Sequence, residues 1–199
     1  RIYPTIALPW RDLTNSKEGS LFVNLNGERF VNERSEGMEM AQAILEQPDE
    51  KVWMIFDSQK ALDHANIRKQ MAQGKFIEAD SYESLAKEIG VDEESLINTI
   101  NQYNENAINQ VEDEFSLTPE RALNEEGPYY AVRVESAVHM TKGGVLTNEQ
   151  GQVLNQEGEV FANLFATGEV TWQSGGYSQS VAWGKIAGRN VAELMNGEE

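Results

Sequence analysis

Leu164-Phe165-Ala166-Thr167-Gly168-Glu169-Val170, followed by Ser174-Gly175-Gly176-Tyr177-Ser178-Gln179-Ser180 and a run of small residues, decides how this chain is read. Leu164, Phe165 and Ala166 form the short apolar run expected of a buried strand. Gly168 permits a turn, and Gly175–Gly176 let the backbone approach a ligand closely. A helix is expected to start near Ser178 or Ser180, both competent caps, with its free N–H groups and positive dipole end pointing forward. Within that helix Gly184, Ala187 and Gly188 make a smooth face able to press against a sheet. A strand, turn and helix of this kind suit an anionic or electron-rich group. Such units are common in α/β proteins, so the order of the elements upstream has to decide.

Composition narrows the classes. At 199 residues the chain makes one large or two small domains with a proper core. A formal charge of -17 argues against nucleic acid or an anionic membrane as partner, because phosphate recognition needs clustered Lys and Arg. With no cysteine there is no disulfide, iron–sulfur or cysteine zinc chemistry. His64 and His139 lack ligand spacing, so no metal site is expected. No apolar stretch approaches the roughly 20 residues of a membrane span, and no signal peptide is recognisable, so a cytoplasmic location is the expectation. A start at Arg1 rather than Met suggests a piece of a longer protein.

Upstream, Leu21-Phe22-Val23 and Arg29-Phe30-Val31 flank Asn26–Gly27, predicting a β-hairpin with a type I′ turn. Met38, Ala41 and Leu45 have helical spacing, closed by Pro48. Lys51 to Phe56 reads as a buried strand, with Asp57 placed to cap the next helix. Asp80 and Glu83 suggest a capping box, and Gly90 a helix stop. Asp92 would cap a second helix with Leu96, Ile100, Tyr103 and Ala107 on its buried stripe. After an acidic, irregular stretch from about 109 to 127, Pro128 marks a boundary. Tyr130, Val132 and Val134 then alternate as in a strand, and Gly143-Gly144-Val145-Leu146 to Val153-Leu154 reads as a hairpin.

Taken in order, GERFVNE (27–33), VWMIFD (52–57), ESLAKEIGVDEESLINTINQYN (83–104), PYYAVRVESAVHMTKGGV (128–145) and LFATGEV with WGKIAGRNVAELM resemble the flavoprotein subunits of the soluble fumarate reductase family. That family includes flavocytochrome c fumarate reductases, urocanate reductase and related FAD-dependent 2-enoate reductases, and is more distantly similar to 3-ketosteroid dehydrogenases. The resemblance runs from about residue 19 to the C-terminus. It implies an α+β chain: a substrate-capping domain over roughly residues 15–128, then the C-terminal strand–helix return of an α/β FAD-binding domain over 129–199. The G-x-G-x-x-G fingerprint for the ADP half of FAD is absent, so the dinucleotide-binding half would precede Arg1 and act as a partner. The isolated piece is then expected to be inactive.

Position by position, the resemblance places Glu169, beside Gly168, at a sugar hydroxyl of FAD. Ser180, Val181 and Ala182 fall at the helix start that faces the flavin N1/O2 edge. His139, Gly143 and Gly144 match a His-x-x-x-Gly-Gly segment beside the substrate, with Trp172 and Tyr177 shaping a flatter, more apolar pocket. On their residues alone, Glu169 also reads as a turn carboxylate, His139 as a strand-end histidine, and Trp172 and Tyr177 as packing for the terminal helix. Arg34, Tyr177 and His139 are the candidate proton donors, with Glu33 or Glu36 available to tune Arg34.

Departures from the family pattern bear on substrate. The position of the acid-donating Arg is Gly37, the His-His pair reads His139–Met140, and the segment from Trp172 to Tyr177 is short and uncharged. Those cations would hold a dicarboxylate, so the expected substrate is an unsaturated acid other than fumarate, reduced by hydride transfer with FAD. A ketosteroid-type dehydrogenase, or a non-enzymatic α+β module whose acidic surface recruits a basic partner, stands as the alternative.

Overall fold

The computed structural model describes residues 2–8, 11–12, 19–35, 37–141, 143–172 and 176–197; for 2–8, 11–12, 61, 63 and 139–141 it describes the backbone alone. The chain divides into two units, Pro4–Ala137 and Arg1–Tyr3 with Val138–Glu199.

The first unit is organised around the run VWMIFD. Its residues form strand β4 (Val52–Asp57), and five others complete the sheet: β1 (Ile2–Leu8), β2 (Arg11–Asp12), β3 (Leu21–Val23), β5 (Ile77–Ala79) and β6 (Tyr129–Thr141). The order is β2-β1-β6-β4-β3, with β5 also on β6. The β4–β6 pairing is antiparallel, from Val52 opposite Val134 to Asp57 opposite Tyr129. Because side chains alternate along a strand, this register sorts the core into two faces. Phe22, Met54, Phe56, Tyr130, Val132 and Val134 meet Met40 and Ile44 of α1 (Gly37–Leu45) and Ile67 of α3 (Ala65–Met71), which follows the short α2 (Gln59–Asp63). Leu21, Val23, Ile55, Tyr129 and Ala131 meet α4 (Tyr82–Ile89) and α5 (Glu93–Asn109) through Leu85, Ile89, Leu96, Ile100 and Tyr103. Helices on both faces explain why consecutive residues of β4 and β6 are apolar, where a one-sided sheet would alternate with polar ones.

Several local expectations change. The 21–31 hairpin shrinks to a single bridge between Val23 and Arg29. Gly27 alone of the turn pair has positive φ, 79°, so the turn is not type I′. Instead Gly27 N–H donates to the Asn24 carbonyl at 3.1 Å, and Asn24 Oδ1 accepts from the N–H groups of Asn26 and Glu28. Gly27 is needed for a second reason: a Cβ there would lie 2.8 Å from Leu96 N and 2.9 Å from Asp92 O. In α1 the buried residues are Met40, Ala41 and Ile44, while Met38 and Leu45 face outward.

The capping box falls one residue later than predicted, between Ser81 and Ser84, because Ser81 has the extended backbone of a cap. Gly90 closes α4 in the left-handed conformation, and Asp92 caps α5 by accepting from Ser95 N–H at 2.9 Å, both as expected. Asp57 caps nothing. Fully buried, it accepts both Arg121 guanidinium Nη groups at 2.7 Å and Asn124 N–H at 2.8 Å, tying the irregular 110–127 segment to the end of β4.

The second unit contains the end of β6, a two-stranded sheet of β7 (Gln152–Leu154) and β8 (Val160–Phe165), and α6 (Gly176–Asn196). The predicted 143–154 hairpin is present as a Thr147–Val153 bridge, with Leu154 N–H donating to the Leu146 carbonyl. The strand at 164–166 exists but is not buried: Leu164 is 50% exposed and Phe161 likewise. Five of the six residues of β8 are exposed, so its apolar run makes no core among the described residues. Helix α6 begins at Gly176, before both expected caps, and Gly175 lies outside the described residues.

Candidate functional site

The second unit brings four stretches of the candidate site together around Gly168. The chain leaves β8, turns through Gly168–Glu169–Val170 and enters a short parallel bridge between Val145 and Thr171. Val145 N–H donates to the Val170 carbonyl at 3.0 Å, and Trp172 N–H donates back to the Val145 carbonyl at 3.2 Å. The turn is closed from within by Thr171, whose N–H and hydroxyl both donate to the Gly168 carbonyl, at 3.0 and 2.8 Å.

Glycine at 144 makes this approach possible. A Cβ there would lie 2.2 Å from the Val170 carbonyl oxygen and 2.9 Å from its carbon, with φ already at 113°. Any side chain would push the 143–145 segment off the turn. Gly168 itself, at φ 79°, faces the start of the last helix: an added Cβ would sit 3.7 Å from Ser180 Oγ.

Helix α6 supplies the electrostatics. Its first N–H groups have no intrahelical acceptor, and 21 residues of aligned peptide dipoles put partial positive charge at Gly176–Gln179. Ser180, half-buried, and exposed Val181 and Ala182 sit just beyond that end. Glu169 is exposed on the turn, and its carboxylate makes no hydrogen bond or ion pair among the described residues. Beside it, the Thr167 hydroxyl is buried and has no partner among the described residues.

The remaining candidates distribute unevenly. Trp172 is half exposed, with its indole N–H donating to the Thr147 carbonyl at 3.3 Å, and Tyr177 is 87% exposed; neither is buried packing for the helix. His139 is a residue of β6, but its side chain and that of Met140 lie outside the described residues, as does Glu36. Gly143 precedes the close contact at Gly144.

Arg34 belongs to the first unit. It is exposed and pairs with Glu120 at 2.8 Å. Glu33, expected to tune Arg34, is instead buried and bonded to Arg29 Nε at 2.8 Å and to Arg29 Nη2 at 2.6 Å. Arg29 also reaches Asp113 and lies over the rings of Tyr103 and Phe115. Burial alone would lower the Arg29 pKa, but the two carboxylates outweigh it and hold the guanidinium above its ordinary value. Thr171, not singled out from the sequence, closes the turn from its inner side through its two bonds to Gly168. The signal for Thr171 was its place right after Val170, where a β-branched donor can close the turn.

The described residues form an α+β chain in which a glycine turn is clamped between two chain segments and lies against the start of a long helix. The family model described as FAD binding domain matches residues 7–182. The chain therefore belongs to the FAD binding domain family, and its cofactor is FAD.

Among curated relatives, a protein described as probable fumarate reductase Ifc3 of Shewanella frigidimarina is 32% identical over 183 residues, covering 88% of this chain and 31% of the relative. NADH:acrylate oxidoreductase of Vibrio harveyi is 32% identical over 191 residues, covering 89% and 19%. The open conformation of a flavocytochrome c3 fumarate reductase superimposes with a TM-score of 0.80 at 28% identity, covering 96% of this chain and 36% of that one. The chain thus spans about a third of the first of these relatives and less of the second. The likeness to the fumarate reductase flavoproteins expected from the motifs is borne out.

The described residues fit the cofactor. Among the described residues the buried Thr167 hydroxyl and the exposed Glu169 carboxylate have no partner, and both belong to the turn whose Gly168 lies against Ser180 of α6.

Proposed function

We propose that this chain is the substrate-capping and flavin-facing part of an FAD-dependent oxidoreductase acting on an activated C=C bond of a 2-enoate other than fumarate. The single observation that carries this is the clamped 166–172 turn, which bears two polar side chains without a partner among the described residues and whose Gly168 lies against Ser180 near the start of α6. When bound, FAD supplies the ring that exchanges a hydride with substrate carbon.

The roles of this chain's residues follow from their chemistry. Glu169 accepts hydrogen bonds from sugar hydroxyls. The amides around Ser180, Val181 and Ala182 stabilise negative charge in front of them. The first unit, as the capping domain, excludes water and aligns substrate. Arg34, Tyr177 and His139 are the proton donors to test. The exposed Arg34, paired with Glu120, presents a planar guanidinium suited to orienting one carboxylate. Gly37, Met140 and the uncharged Trp172–Tyr177 segment leave too few cations for two carboxylates, which favours a monocarboxylic or aromatic enoate. The name of the Vibrio relative, with its acrylate, supports the same class.

The test is expression of the full reading frame of the gene. A yellow protein should form, bleach with dithionite and regain colour with acrylate-like acids faster than with fumarate. Glu169→Ala should lower flavin content, and His139→Ala should lower turnover at unchanged flavin content. A colourless parent, or fumarate as the preferred oxidant, ends this reading.

A further inference from the structure

Arg34 lies in a turn between the Val23–Arg29 bridge and α1, outside any helix or strand. Its place is therefore set by the individual bonds that this turn makes. The N–H groups of Arg34 and Ser35 both donate to Asn32, the first to its side-chain Oδ1 at 2.8 Å and the second to its backbone carbonyl at 2.9 Å. The other half of the same amide crosses 83 residues of chain, where Nδ2 donates to the Phe115 carbonyl at 3.1 Å. It also donates to the Ser116 carbonyl at 3.0 Å. Asn32 thus accepts on one side and donates twice on the other, which an ionised aspartate cannot do and a glutamine would do from one methylene further out.

The turn that receives this amide is itself fixed. Asp113 Oδ1 accepts the N–H groups of Phe115 and Leu117 at 2.8 and 2.9 Å, and Ser116 N–H donates to the Asp113 carbonyl at 3.0 Å. Asp113 Oδ2 accepts from Arg29 Nη1 at 2.6 Å, and the Nε and Nη2 of the same guanidinium hold the buried Glu33 carboxylate. Charge-assisted bonds of this kind, removed from water, make a firm base. Glu33 and Arg34 are consecutive, so drawing Glu33 inward leaves Arg34 outward and exposed.

The guanidinium held in this way is only half committed. Nη2 donates to Glu120 at 2.8 Å, while Nε and Nη1 have no partner among the described residues. Those N–H groups are able to take one further carboxylate.

We infer that Asn32 is a positioning residue for the substrate carboxylate: it fastens the Arg34 turn to the 113–117 turn and so holds the free N–H groups of Arg34 in one place. That role rests on Arg34 orienting one carboxylate of the substrate, the reading proposed for it. Holding a long side chain in place beforehand lowers the ordering cost of binding. The loss of Asn32 therefore shows in the affinity for an acid and spares a neutral analogue.

Propionate, a saturated monocarboxylate that accepts no hydride, and neutral propionamide are the probes, titrated by isothermal calorimetry into the protein expressed from the full reading frame. Arg34→Gln should weaken propionate about tenfold and leave propionamide within about twofold. Asn32→Ala should weaken propionate about threefold to fivefold, with propionamide again within about twofold. Asn32→Asp keeps the size and the acceptor for Arg34 N–H but loses both donor bonds, and should show the same selective loss. The matched control is Asn104→Ala. Asn104 Oδ1 accepts Leu123 N–H at 2.8 Å, fastening the same irregular segment elsewhere, so this variant should bind both probes as the unaltered protein does. Unchanged propionate affinity in both Asn32 variants, with a loss in Arg34→Gln, overturns the role of Asn32 and leaves that of Arg34 standing. Equal losses in Asn32→Ala and Asn104→Ala, or loss of propionamide along with propionate, would mean a general loosening and overturn it as well. Propionate bound equally by Arg34→Gln and the unaltered protein overturns the reading of Arg34 itself, and the positioning role falls with it.

Discussion

The two units of this chain treat their apolar residues in opposite ways. In Pro4–Ala137 the sheet is covered on both faces, and strand β4 is buried along nearly its whole length. In the second unit the buried apolar side chains among the described residues are Val153 and Ala187. Helix α6, 21 residues long, buries Ala187 alone, and β8 has five of its six residues exposed. The same kinds of residue, Val, Phe and Leu, appear in both units, so composition is not the difference. One unit has its covering layers within the chain and the other does not. Exposed large apolar side chains gathered in one unit normally meet another surface.

The sharpest way to break this contrast is to remove one group from each unit. Asp57→Asn in the first unit leaves Arg121 without its bidentate carboxylate and should cost about 3 kcal/mol of unfolding free energy. Phe161→Thr on β8 removes a side chain that is half exposed and keeps β propensity, so the change should stay within about 0.5 kcal/mol. Urea unfolding of the full chain followed by far-ultraviolet circular dichroism measures both. Comparable losses would mean that β8 is covered after all.

A second prediction uses pH. Burial pushes the Tyr103 hydroxyl up to about 12, the Glu33 carboxylate adds to this, and Arg29 and Arg121 oppose it. Burial and the neighbouring Tyr129 raise Tyr82 as well. Both sit in the first unit. Above the ordinary tyrosine pKa of about 10 the unfolded chain loses these protons while the folded chain keeps them, so the folded state binds more protons. Stability is therefore complete below about pH 10 and falls as pH rises toward 12, by at most about 1.4 kcal/mol per pH unit for each tyrosine. Tyr103→Phe should flatten that slope in urea unfolding at pH 9.5 to 11. An unchanged slope would place Tyr103 in contact with solvent.

How much of this was legible in the sequence follows the same division. The α4–α5 pair was readable because its signals are local: Gly90 at the stop, Asp92 at the cap, and Leu96, Ile100, Tyr103 and Ala107 at helical spacing, all four buried. What depends on contacts distant in sequence was not. Asp57 reads as a cap until Arg121, sixty-four residues later, is seen to hold it. Gly27 reads as half of a type I′ pair, although the backbone of Asp92 and Leu96 is what excludes a side chain there. At the candidate site Gly168, Glu169 and the start of α6 were legible as a turn before a helix. The Gly144–Val170 contact was not, since only the fold brings the two glycine segments together. Leu164–Ala166 was misjudged as buried because an apolar run states a need for burial without saying where the cover comes from.

The smallest expected effect is also the most telling for that cover. Gly184 lies inside α6, where an added Cβ would meet nothing within 4 Å. Alanine is the better helix former by roughly 0.5–1 kcal/mol, so Gly184→Ala should raise the helical content and thermal midpoint of this chain. If the smooth stripe through Gly184 and Gly188 seats against polypeptide of a longer parent, the same substitution should lower flavin content there, because a methyl group then intrudes on a close backbone approach. Opposite signs in the two contexts would identify the α6 face as a buried interface in the parent. Stabilisation in both would mean that the glycines serve no packing role and that the exposed face of the second unit is solvent-facing by design.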